Sequence, residues 1–177
     1  DKPNGKWIWK TEFLYAFDKA EQALVEDGYT RVNYKISDMY GSYNAVRLMH
    51  AFHLDLLTRF PLCKKANLFG FSRGGLYAFN YSLFYPEYVD KVYLDAPVLD
   101  LASWPWEDSP EQAGMLEEYC LTKDTLKKFK GSPVYNFKEF FSNKLPLLVI
   151  AGGNDEVVKF EENAGKLIDY ATKNGEN

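Results

Sequence analysis

Gly70-Phe71-Ser72-Arg73-Gly74-Gly75 joins an apolar run (Ala66, Leu68, Phe69) to a stretch of helical character, Leu76 to Phe84. A serine at such a junction sits on a sharp turn, its hydroxyl exposed above the end of a sheet. The turn crowds the backbone, so the positions two before and two after the serine must be small. Gly70 and Gly74 meet both demands. In most turns a glycine serves only to supply a positive φ. Here the order strand, glycine, serine, glycine, helix is far more restrictive.

The rest of the chain repeats that strand-to-helix alternation. Strands are predicted over Lys6 to Lys10, Thr30 to Ile36, Asn67 to Phe71, Lys91 to Asp95 and Leu147 to Ala151, from their β-branched and aromatic content. Trp7 and Trp9, two apart, share one face of the first. Helices are predicted over Phe17 to Glu26, Ala45 to Arg59, Arg73 to Tyr85 and Glu161 to Thr172. Gly28 ends the first, and Pro61 stops the second, whose stripe is Val46, Met49, Phe52, Leu56 and Leu57. Alternation of this kind gives an α/β fold: a mainly parallel sheet with helices on both faces. If the second strand lies outside the first and the third on its other side, a crevice opens between the first and third. Ser72 would stand at that crevice, with the loop Thr11 to Tyr15 opposite. Between Asp95 and Leu147 the pattern loosens. Residues 100–145 read as a small cap-like insertion within a single domain, 1–177. Trp104 and Trp106 either line a substrate pocket or pin this insertion to the core.

Composition narrows the function classes. The chain has 177 residues, is 46% hydrophobic and carries a net charge of −4. That fits one domain with its own core and lacks the basic face of a nucleic-acid binder. Lys127, Lys128 and Lys130 read as a solvated helix face. No apolar run would span a bilayer, so neither nucleic acid nor membrane is an expected partner. The chain opens at Asp1 without a methionine, which fits a cleaved leader or a trimmed chain equally. Composition does not separate a cytoplasmic from a periplasmic or secreted protein. Cys63 and Cys120 lack metal-site spacing and read as two buried free thiols, with a disulfide between them as the alternative. Asn80-Tyr81-Ser82 matches a glycosylation sequon but falls inside a predicted helix, so it reads as a chance match.

A serine hydroxyl becomes an effective nucleophile at neutral pH only beside a base, itself oriented by a carboxylate. On this architecture the partners follow in the order serine, acid, histidine. Asp155, in the Gly152-Gly153-Asn154-Asp155 turn after the last strand, is the expected acid; its bland reading is a turn-capping aspartate. Glu156 is the second choice, and Asp95 and Asp100 are weaker ones. The two histidines, His50 and His53, both precede Ser72 and sit three apart on one helix, where they read as surface or boundary residues. The expected base would lie beyond Asn177. The oxyanion hole would use the backbone N–H of Arg73 and a second N–H from Thr11 or Glu12. The Arg73 side chain would reach an acidic substrate group or, more commonly, a nearby carboxylate. A phosphate cradle is disfavoured because the lysine of a P-loop is missing.

With these residues in view, the chain resembles the α/β-hydrolase superfamily. Gly70-Phe71-Ser72-Arg73-Gly74-Gly75 and Gly152-Gly153-Asn154-Asp155-Glu156-Val157-Val158 carry the resemblance. Gly5-Lys6-Trp7-Ile8-Trp9-Lys10 and Leu94-Asp95-Ala96-Pro97-Val98 look like a bacterial branch, some of whose members occur beside carbohydrate-degrading enzymes. The resemblance implies a serine esterase acting on a small-molecule ester, acylated sugars included, through an acyl-enzyme. Ser72 would be the nucleophile and Asp155 the acid, with no metal and no cofactor. The superfamily pattern has eight strands, whereas about five are legible here. The resemblance therefore implies an incomplete domain, lacking the first strands and the final strand with its histidine, and inactive or weakly active alone. The competing expectation is a non-catalytic ligand-binding module on the same fold, with its ligand near Trp104 and Trp106.

Overall fold

Trp7–Lys10 (β1) is buried at all four positions, as a strand covered on both faces must be. A computed structural model describes residues 3–176; Asp1, Lys2 and Asn177 lie outside the described residues. Thr30–Val32 (β2) pairs with one side of β1 and Ala66–Phe71 (β3) with the other. Val89–Asp95 (β4) and Leu147–Ile150 (β5) continue outward, giving five parallel strands in the order β2-β1-β3-β4-β5. The order reverses between β1 and β3, which meets the condition for a crevice there. Their C-terminal ends therefore diverge to either side of one crevice.

The intervening helices are Lys19–Glu26 (α1), Tyr43–Arg59 (α2), Gly74–Phe84 (α3), Pro110–Glu118 (α4), Lys123–Leu126 (α5), Phe137–Ser142 (α6) and Ala164–Asn174 (α7). Among the boundaries that differ from the predicted ranges, three have a clear local reason. Phe17 has a left-handed backbone, with φ 51°, so α1 begins beyond it. Ser42 accepts the Ala45 N–H at 3.1 Å and starts α2 two residues earlier than predicted. β2 stops at Val32; beyond it the Asn33 side chain, rather than a backbone N–H, donates to the Lys10 carbonyl at 2.9 Å.

Trp7 and Trp9 stack at 5.8 Å on the face packed by α2 and α3, where Phe52, His53 and Tyr81 meet them. On the same face Leu147 and Val149 turn toward Phe141 of α6 and Leu167 and Ala171 of α7. The opposite face holds α1. There Ala20 and Leu24, with Phe69, Tyr93, Leu148 and Ile150 of the sheet, line an apolar groove of about 510 Å³. Within the insertion, Phe140 of α6 stacks on Phe79 of α3 at 4.4 Å, so its last turn belongs to the core. Asn163 Oδ1 accepts the N–H groups of Leu99 and Asp100 at 2.8 and 3.0 Å and fixes where the insertion leaves the sheet.

Two smaller expectations change. Cys63 and Cys120 are exposed thiols, not buried ones. His53 is fully buried rather than at a boundary. Asn80 is buried and donates to the Gly41 carbonyl at 2.8 Å, which leaves its sequon without access. Among the described residues no helix is long and apolar enough to cross a membrane.

Candidate active site

Ser72 has φ +52°, between the last residue of β3 and the first turn of α3. A non-glycine residue in that region marks strain that the surroundings must hold. Three backbone hydrogen bonds do so. The Ser72 N–H donates to the Asp95 carbonyl, and the Ser72 carbonyl accepts from Gly75 and Val98, each at 2.9 Å. The glycines are required by space. A Cβ on Gly70 would lie 2.9 Å from the Ala78 Cβ and from the Gly74 carbonyl oxygen. One on Gly74 would lie 2.9 Å from the Thr11 Oγ1, and one on Gly75 only 2.6 Å from the Pro97 Cβ. The segment Ala96 to Val98, itself opening on a left-handed residue (Ala96, φ 42°), thus braces the turn from behind.

The loop after β1 closes the other side. Thr11 donates its hydroxyl to the Gly74 carbonyl at 2.8 Å, clamping the loop to the start of α3. Its N–H donates to the Phe69 carbonyl at 3.1 Å, extending the β1–β3 ladder by one step. The Thr11 N–H is thus engaged, which leaves Glu12 of the two alternatives for the second oxyanion donor. The N–H groups of Glu12 and Arg73 make no hydrogen bond among the described residues. Glu12 N lies 3.4 Å from where a Gly74 Cβ would be, which puts the Glu12 amide against the first turn of α3. The positive end of α3 adds its dipole to the same place. The Arg73 side chain pairs with the buried Glu12 carboxylate at 2.8 Å, so the nearby-carboxylate reading holds for it.

Asp155 follows β5 and is half-buried. Its Oδ1 accepts the N–H groups of Val157 and Val158, both at 2.9 Å, which fixes the carboxylate in a turn. Its Oδ2 has no partner among the described residues. Phe71, Asp95 and Ile150 are in register across β3, β4 and β5. Ser72 and the Asp155 turn therefore leave the same end of the sheet, two strand spacings apart, or roughly 10 Å. Of the weaker candidates, Asp100 is bound to Lys166 at 2.9 Å, Asp95 accepts the Tyr93 hydroxyl at 3.0 Å, and Glu156 is exposed.

No protein-family model matches the chain, and no curated protein does. Solved structures do. The chain is similar to MGS-MChE2, an α/β hydrolase from the metagenome of lagoon sediments at Mar Chica, Morocco. The TM-score is 0.63 at 18% identity, over 95% of this chain and 77% of that one. It is similar to the fluorophosphonate-binding serine hydrolase FphF of Staphylococcus aureus (TM-score 0.63, 16% identity, 98% and 72% covered). The S-formylglutathione hydrolase FrmB of the same organism gives 0.66 at 15% identity, over 99% and 74%. The chain has the α/β-hydrolase fold. At these identities the likeness concerns the fold.

Neither histidine is free to reach the Ser72 turn. His53 sits between Trp7 and Tyr81, its Nε2 at 2.8 Å from the Lys64 carbonyl and its Nδ1 at 2.7 Å from the Tyr81 hydroxyl. Burial holds its pKa down at about 4. His50 stacks on Tyr85 at 3.8 Å, and burial lowers it too. Both rings belong to the packing of α2 on α3. The two tryptophans of the insertion take different places. Trp104 is half-buried and packs toward Tyr40, at 6.4 Å between rings. Trp106 is exposed and, with Val157 and Lys159 beyond Asp155, lines a cleft of about 300 Å³. The sequence reading did not single out Phe13 and Phe17, aromatic residues at φ 52° and 51° in the loop opposite Ser72. Aromatic content alone is a weak signal; their exposure is visible only in the fold.

Proposed function

We propose that this α/β-hydrolase domain is the core of a serine hydrolase that cleaves carboxylic esters through an acyl-enzyme on Ser72. The observation that carries the reading is the strained Ser72 backbone, held between two glycines that have no room for a Cβ at the crevice between β1 and β3. Strain of this kind concentrates at functional sites. The Ser72 oxygen attacks the ester carbonyl and its proton passes to a base. The carbonyl oxygen, now negative, receives the N–H groups of Arg73 and Glu12 at the N-terminus of α3. Collapse of the tetrahedral adduct expels the alcohol, and water then releases the acid by the same steps. Asp155, its Oδ1 fixed by two backbone N–H groups, orients the base through Oδ2.

The base is a histidine supplied from outside these 177 residues, because His50 and His53 are both engaged in the α2–α3 packing. Several similar structures are of hydrolases, carboxylesterases among them, which favours ester chemistry. Acylated sugars remain within the proposed substrate class, with Trp106 on the alcohol side. The test is labelling by a fluorophosphonate in the full-length protein. Ser72 is the expected site, and Ser72→Ala removes both labelling and ester turnover. Unimpaired turnover by that variant rejects the proposal. The second reading, a ligand-binding module without catalysis, rests on the engagement of both histidines. It predicts no labelling at Ser72 but a change in tryptophan fluorescence on titration with oligosaccharides.

A further inference from the structure

Ser72 is flanked by an aromatic surface that the catalytic steps do not use. The Phe13 ring meets the Phe71 ring at 5.6 Å, and the Arg73 guanidinium lies 5.1 Å from its centre. Phe13 thus touches both chain neighbours of Ser72. Phe17 adds a second ring against Phe71, at 4.9 Å. Phe13 is 39% exposed and Phe17 77%, although burial is the ordinary place for such rings. Both have left-handed backbones, which bulky residues rarely adopt. The loop that presents them is tied down: the buried Lys10 ammonium binds the Ala16 carbonyl at 3.2 Å and pairs with Glu21. Each cation here is matched. Arg73 pairs with Glu12, Arg31 with Asp18 and Lys10 with Glu21. An anionic substrate group would have to displace one of these carboxylates, whereas an uncharged apolar group displaces only water.

We infer that Phe13, Phe17 and Phe71 form an acyl-binding platform beside Ser72, and that the preferred substrates are esters of apolar acids with chains well beyond acetyl. The inference rests on Ser72 as the reacting group, and it deepens the proposed activity by naming the acid side of the ester.

Two measurements test it. In the first, methyl ketones that cannot be hydrolysed, 2-butanone and 2-nonanone, are titrated against the protein while aromatic proton resonances are followed. 2-Nonanone binds at least ten-fold more tightly, and Phe17→Ala removes most of that difference while Phe17→Leu keeps it. In the second, kcat/KM is compared for p-nitrophenyl octanoate and acetate in the full-length protein. The ratio favours octanoate and falls five-fold or more in Phe17→Ala. Chain-length-selective ketone binding without any hydrolysis supports the platform and rejects the hydrolase. Hydrolysis with the same octanoate-to-acetate ratio in Phe17→Ala keeps the hydrolase and overturns the platform. Equal binding of the two ketones overturns the platform whatever the esterase assay shows. Phe17 is exposed, so its variants are expected to fold; an unchanged thermal midpoint checks this.

Discussion

At the scale of single residues, space around a glycine decides more than its flexibility does. A methyl group on Gly74 would press on Thr11 Oγ1 at 2.9 Å and Glu12 Cβ at 3.1 Å. Gly74→Ala should therefore cost about 1–3 kcal/mol as an overpacked site. It should also push the Glu12 amide away and slow fluorophosphonate labelling at least ten-fold. Gly152→Ala is the control, since its Cβ would meet nothing within 4 Å; its labelling and stability should match the parent. His53 gives a second residue-scale test. Its pKa falls from 6.5 to about 4, first because burial disfavours the charged ring. The neutral ring thus contributes stability in full above pH 6.5, and that contribution is lost as pH falls toward 4. The loss from His53 is on the order of 3 kcal/mol. His50, lowered for the same reason, adds to it. Urea midpoints between pH 7.5 and 4.5 should record the decline, and His53→Gln should flatten it. A midpoint that does not move over that range contradicts the burial of this ring.

Between elements, the junction of β1 with α1 depends on one ion pair. Lys10 ends β1, Glu21 lies in the first turn of α1, and both are almost fully buried. Removing one partner leaves an uncompensated buried charge, whereas replacing both with apolar residues does not. Glu21→Ala should cost about 3–5 kcal/mol, and Lys10→Met with Glu21→Leu should recover most of it. Chemical denaturation of the three variants measures this; a double variant as weak as the single one contradicts it. The sequence did not reveal this pair, because a lysine in a strand and a glutamate in a helix both read as solvent-facing. It did reveal a parallel sheet alternating with helices, and it left a reversal beside the first strand as one topology that handedness allows. It also revealed the Ser72 turn, because steric demand is written in residue type. Glu12 and Thr11 were not separable in advance. Both lie in the loop after β1, and only the extra rung from Thr11 N–H to the Phe69 carbonyl distinguishes their amides. The position of Asp155 in a Gly-rich turn past the last strand was legible, while the use of its Oδ1 by Val157 and Val158 was not.

At the scale of the whole molecule, the two faces of the sheet are covered unequally. α2, α3, α6 and α7 pack one face, while α1 covers only part of the other. Strand alternation then sorts β5 strictly. Leu147 and Val149 turn to the helix-covered face, while Leu148 and Ile150 remain 57% and 51% exposed beside the α1 groove. Contiguous apolar surface of this kind is unusual on a soluble domain, where single exposed apolar residues are common but continuous patches are not. The polypeptide of these 177 residues should bind 8-anilinonaphthalene sulfonate in its native state, with the dye in the groove between α1 and β5. Leu148→Lys with Ile150→Lys should cut the fluorescence by at least half. Because both side chains are exposed, stability should change by no more than about 0.5 kcal/mol. The matched pair Leu147→Lys with Val149→Lys makes the opposite prediction. Those side chains pack against α7, so the variant should lose cooperative unfolding and bind more dye. Equal dye binding by all three proteins would mean that the groove is not the apolar surface this chain presents to water.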